Sequence, residues 1–164
     1  LFNYNGIGDR NMKIISDQDL KIVAKGISNI LGLEYTPTIY QKAAEEMMQP
    51  FAKAYYIVEG SRSRTSVVIN TDSIEGVEDF IITLSHELCH SYQNQIGGFY
   101  YDAVTINNAF NNDEEIKKEL VFYPKEQLLR EVDARLFADF FLNKLPEKFL
   151  KELEKKMLNY VRQN

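Results

Sequence analysis

An α+β fold follows from three features of the sequence. The chain opens on an apolar pattern of helical period, continues through short β-patterned runs, and ends in long helical periods. The elements therefore come in the order N-terminal helix, small early sheet, motif-bearing helix, C-terminal helices.

Ser16 is the natural N-cap of a first helix, Asp17 to Leu31, in which Leu20, Val23, Ala24, Ile27, Ile30 and Leu31 recur at helical spacing. Gly32 ends it. Thr36 to Gln41 reads as a short strand, and Pro37 within it favours an edge position or a strand start. Lys42 to Met48 fits either a helical turn or an extended insertion. Two firmer strands follow, Ala54 to Val58 and Thr65 to Asn70, joined by the polar run Gly60 to Arg64, which suggests a hairpin with a solvated basic turn at Arg62 and Arg64. The alternation in Thr65 to Asn70 also allows an exposed edge that could pair with an extended backbone. Thr71, Asp72 and Ser73 offer caps for a long helix, Val77 to Ile96, closed by Gly97-Gly98. Phe99 to Phe122 carries an Asn/Asp-rich middle and reads as a long, mobile connection. A helix from Lys125 to Leu145 is apolar nearly all round, so it is expected to be mostly buried; Pro146 stops it, and a charged helix, Glu147 to Arg162, closes the chain.

The 164 residues suit one domain, residues 16–164, behind a loosely ordered arm at 1–15. With 45% hydrophobic residues the chain can build a core without staples, and its single cysteine, Cys89, permits no internal disulfide. That usage fits a reducing compartment, so a cytoplasmic location is expected, with a secreted effector as the alternative. Leu1 to Arg10 lacks the charged-then-apolar layout of a leader, and no apolar run is long enough for a membrane span. A net charge of −5 without a basic patch argues against nucleic acid as a partner.

Residues 86–90 read His-Glu-Leu-Cys-His, and these are the only two histidines in the chain. On a helix, positions i and i+4 share a face, so both imidazoles can reach one tetrahedral zinc. Glu87 is offset by one residue, which places its carboxylate beside the metal as a base rather than a ligand. Phe80, Ile81, Leu84 and Leu88 give this helix its apolar stripe. A catalytic zinc takes three protein ligands. With no third histidine, a carboxylate must complete the set, and Glu131 is the choice. It shares a helix sector with Ala134 and Ala138, whose small side chains allow close approach of another helix. Asp133 lies about 200° away on the wheel and faces elsewhere. The competing reading of Glu131 is an i,i+4 ion pair with Arg135. Cys89 lies about 100° from His90 and reads as a core thiol. Oxyanion donors are left open among Tyr100, Tyr101, Tyr123 and Arg130, which flank the third ligand in sequence.

Two segments, Ile82 to His90 and Glu131 to Ala138, resemble the ImmA/IrrE type of minimal zincin metallopeptidase. That family shows a Glu, an acidic residue two on, then Ala, then Phe-Ala, matched here by Glu131, Asp133, Ala134, Phe137 and Ala138. Arg135 stands where the family usually has Asn, and His90 and Glu131 are farther apart than is usual there. Gln93 gives a His-x-x-Gln continuation that is also similar to small metallopeptidase domains of bacterial effectors. The resemblance implies one zinc on His86, His90 and Glu131, with Glu87 as base. It also implies a protein or peptide substrate. The expected function is thus a zinc endopeptidase, with a non-catalytic zinc-binding module or a secreted effector peptidase as alternatives.

Overall fold

In the computed structural model, which describes residues 13–60 and 65–164, helix α1 spans Asp17–Leu31. Ser16 caps it by accepting from the Asp19 backbone N–H, and Gly32 ends it in the left-handed conformation (φ 74°). Leu20, Val23, Ala24, Ile27 and Leu31 are buried, whereas Ile30, expected on the same face, is exposed. The expected arm falls outside the described residues up to position 12; at its end Ile14 and Ile15 are buried, pinned through Gln41, which accepts from both backbone N–H groups.

Strand β1 is Thr38–Lys42, β2 is Ala54–Val58 and β3 is Thr65–Asn70. A single 3-10 turn, Ala44–Glu46, sits between the first two. The sheet order is β1-β3-β2, with β1 parallel and β2 antiparallel to β3. This corrects the expectation that Thr65 to Asn70 could be a free edge. β3 is central, hydrogen-bonded on both sides, and all six of its residues are buried. Thr65 and Asn70 are satisfied internally: Thr65 Oγ1 meets Ser91 Oγ at 3.0 Å, and Asn70 Nδ2 donates to the Pro50 and Ala52 carbonyls. The turn at Arg62 and Arg64 lies outside the described residues.

Helix α2, Val77–Ile96, starts at Gly76 without a side-chain cap. The expected cappers are engaged elsewhere: Thr71 donates to the Lys42 carbonyl, Asp72 accepts from the Ala44 N–H, and Ser73 donates to the Asn70 carbonyl. Its acidic first turn, Glu78 and Asp79, still complements the helix dipole.

The stretch expected as a long connection holds two helices, α3 (Ala103–Asn112) and α4 (Glu114–Leu120). Asp102 caps α3, and Asp113 both ends α3 and caps α4 through the Glu115 and Ile116 N–H groups. Ile106, Ile116 and Leu120 pack with Val132 into a small second core. Asparagine is a weak helix former, but here the asparagines stay on the outer face and the apolar contacts decide.

Helix α5 is Lys125–Lys144 and α6 is Glu147–Gln163. α5 is less enclosed than its composition suggests: its first turn, Asp139 and Phe140 are exposed. Its buried stripe is Val132, Asp133, Ala134, Phe137, Ala138 and Phe141. Phe80, Leu84, Leu88, Ala134 and Phe137, all fully buried, join α2 and α5 to the main core. α6 adds Leu153 and Met157. Among the described residues no helix is long and apolar enough to cross a membrane.

Ala134 has no exposed surface and nowhere to put extra volume. Ala134→Leu is expected to destabilise the protein by about 1–3 kcal/mol through overpacking. It should also weaken metal binding, because α5 carries Glu131 away from α2. Urea denaturation and a zinc titration of the same variant check both effects.

Candidate metal centre

The i,i+4 spacing on α2 places His86 and His90 on one face, and α5 delivers Glu131 opposite them. His86 Nε2 lies 2.9 Å from Glu131 Oε2, His90 Nε2 lies 3.0 Å from Glu131 Oε1, and the two Nε2 atoms are 3.1 Å apart. Three donor atoms therefore converge on one point. A tetrahedral cation bound at ~2.0–2.2 Å holds its ligand atoms about 3.3–3.5 Å apart, so a few tenths of an ångström of expansion admits an ion. His86, His90 and Glu131 could hold a metal ion, and no other His/Cys/Asp/Glu group among the described residues has this arrangement. The alternative ion pair does not form: Arg135 bonds Glu119 of α4 instead.

The pocket favours charge separation. Burial would raise the Glu131 carboxyl, but hydrogen bonds from His86 and His90, with their charge, outweigh it and hold Glu131 well below the usual carboxylate range. Burial would lower His90, but the Glu131 hydrogen bond and charge, with Glu87 and Gln93, raise it. Glu87 is 9% exposed, and burial pushes its carboxyl up against the lowering charges of His86 and His90.

All four residues line a cleft of about 720 Å³. One wall is β2 and the segment before it (Ala52 to Tyr56); the other is Leu120 and Tyr123 at the end of α4, with Arg135. Among the described residues β2 pairs only with β3, so a strand edge at the cleft belongs to β2 and not to β3. Of the oxyanion candidates, Tyr123 alone lines the cleft, and its hydroxyl is raised by burial and then by the charges of Glu131 and Glu87. Tyr100 packs on Tyr92, Tyr101 and Phe137, while Arg130 donates to the Tyr56 hydroxyl at 3.3 Å.

Three neighbours that the motif itself does not mark also shape the site. Tyr56 of β2 stacks on His90, ring centroids 5.5 Å apart. Gln93, fully buried, meets His90 Nδ1 at 2.8 Å through Oε1. Asp133 faces away from the metal side as expected, yet it is fully buried and accepts from the Tyr100 and Tyr101 backbone N–H groups and from Gln93 Nε2. The Gln93 signal was present in the sequence: a polar residue one turn beyond His90 on a helix bounded by core. Cys89 is buried, as expected of a core thiol, with Sγ 3.9 Å from Asp133 Oδ2; burial and then the Asp133 charge push the thiol up.

These shifts set a pH dependence for the metal-free protein. His90, raised from its ordinary 6.5, stabilises fully below that value and loses the contribution as pH rises through its folded pKa. Glu131, lowered from 4.5, stabilises above that value and loses it only in strong acid. Glu87, raised, adds a further loss with rising pH. Metal-free protein is therefore expected to melt higher at about pH 5–6 than at about pH 8. Excess zinc should reverse the order, because the metal competes with protons for the same nitrogens. Thermal melts at both pH values, with chelator and with zinc, check this.

No family model, no curated protein and no solved structure matches the chain. What the site can do is read from its own geometry.

Proposed function

We propose that this chain is a zinc-dependent endopeptidase of minimal zincin type, similar in its motifs to the ImmA/IrrE proteins. The observation that carries the reading is the convergence of His86, His90 and Glu131 in an open cleft with Glu87 beside them. Two imidazoles and one carboxylate are a catalytic zinc donor set, which leaves a position for substrate. Zinc held there would supply Lewis-acid polarisation of a carbonyl and of the attacking water.

The remaining chemistry belongs to the chain. Glu87 takes the proton released as water attacks the peptide carbonyl, and returns it to the leaving amine nitrogen when the C–N bond breaks. Its buried setting raises its proton affinity, which suits both halves of that transfer. The Tyr123 hydroxyl is the donor available to the oxygen that gains charge. The edge of β2 that pairs with no described strand can hold an extended peptide by backbone hydrogen bonds along the cleft.

Purified protein is expected to carry one zinc per chain by elemental analysis. Glu87→Gln should keep the metal and lose ~10²–10⁴ of the cleavage rate on a peptide library read by mass spectrometry. Tyr123→Phe should lower the turnover rate by up to ~10² with the metal retained. Unchanged cleavage in Glu87→Gln would remove Glu87 as the base. A zinc-loaded parent that cleaves nothing would leave a binding module.

A further inference from the structure

The donor pattern behind His90 is fully determined by its partners. Gln93 Nε2 lies 2.9 Å from the Arg130 carbonyl oxygen and 2.8 Å from Asp133 Oδ2. Both of those atoms accept, so the amide nitrogen of Gln93 must occupy that side. A flipped amide would set its oxygen against two acceptors inside the protein, at a cost of several kcal/mol. Gln93 Oε1 is thereby fixed 2.8 Å from His90 Nδ1, and an oxygen there can only accept. Asp133 is immobilised in turn by two backbone donors, Tyr100 N–H and Tyr101 N–H, each at 2.8 Å. Every member of the chain is buried: Asp133 has no exposed surface, Gln93 is 1% exposed and His90 5%.

We infer that Gln93, anchored by Asp133 and the Arg130 carbonyl, is a positioning residue that holds His90 with its proton on Nδ1 and its lone pair on Nε2. In the metal-free protein Nε2 faces His86 Nε2 and Glu131 Oε1, and an ion bound among them would displace the proton that Nε2 shares with Glu131 and take up its lone pair. Without the amide oxygen, the neutral ring is free to carry its proton on Nε2, which cannot bind a metal. The same link ties α2 to α5 through side chains, so the orientation of His90 and the placement of Glu131 depend on one set of hydrogen bonds. The tie reaches further: the backbone at Tyr100 and Tyr101, just after α2, is fastened to the same carboxylate. His86 has no equivalent partner among its hydrogen bonds here, so the inference concerns His90 alone.

The inference rests on the proposed metal site, and the test separates the two. Full-length protein labelled with ¹⁵N at histidine is loaded with zinc, and zinc affinity is measured by chelator competition for parent and Gln93→Met. The expected parent spectrum shows His90 protonated on Nδ1, slow to exchange, with Nε2 shifted by the metal. Gln93→Met should keep its far-UV circular dichroism, lose that protected proton, and bind zinc ~10–100-fold more weakly. A merely structural role for Gln93 would lower the melting temperature without changing the tautomer. Zinc bound through Nδ1 in the parent, or affinity in Gln93→Met within about twofold of the parent, overturns the inference while sparing the metal site. Should Gln93→Met fail to fold, the parent spectrum alone decides. A parent that takes up no zinc overturns both readings.

Discussion

Helix α5 lies against α2 with Ala134 and Phe137 in the core they share, and the candidate metal centre depends on that contact. The histidine pair is local to α2 and would exist on any isolated copy of the helix. The third donor is not local. Glu131 arrives through the packing of α5 on α2, where Ala134 is small enough to allow a close approach and Phe137 fills the core further along. A helix pair that packs tightly is also stiff, which matters for a cation that tolerates errors of only a few tenths of an ångström in its ligands.

The interface is unusual in what it buries. Asp133, Gln93 and His90 are polar, yet they sit in the same seam as phenylalanines and alanines. Unpaired, such groups would cost several kcal/mol, and a partly satisfied network would be worse than an apolar one. Here each donor of the network meets an acceptor, from the Tyr100 and Tyr101 amides through Asp133 and Gln93 to His90. Helix pairing by apolar area alone tolerates rotation and sliding. A network with one satisfied arrangement does not, so it selects the register in which Glu131 faces the histidines.

Much of the fold and part of the site could be read along the chain, and the dividing line is locality. Ser16, Gly32 and Gly97 act on their own helices, so the bounds of α1 and α2 were legible. The His86/His90 pair needs only the helical repeat; counting histidines called for a carboxylate, and the helix sector shared with Ala134 and Ala138 pointed to Glu131. Strand order was not legible, because the alternation of Thr65 to Asn70 is the same whether the strand is central or an edge; its burial on both faces depends on distant partners. The asparagines of α3 misled for a related reason. Propensity weighs each residue alone, whereas Ile106, Ile116 and Leu120 become decisive only when Val132 is present to receive them. Gln93 and Asp133 escaped because a polar side chain announces that it needs a partner without saying which.

The segment misread as a loop changes how the cleft works. A mobile connection would have left the histidines facing solvent on that side. Instead α4 ends at Leu120, whose side chain is anchored in the second core, and the turn beyond it brings Tyr123 to the cleft. Arg135 of α5 reaches across to Glu119 of α4, so the wall is tied to the helix that carries the third donor. The opposite wall is β2, held by its hydrogen bonds to β3 and, through Tyr56, against the His90 ring. The two walls are thus fixed to the two halves of the donor set: the sheet side to His90, the helical side to Glu131. A peptide lying between them would touch both, and any shift of one wall would be felt at the donors. Shape at the cleft and geometry at the candidate metal centre are in this sense one constraint, imposed from both sides of the α2–α5 seam.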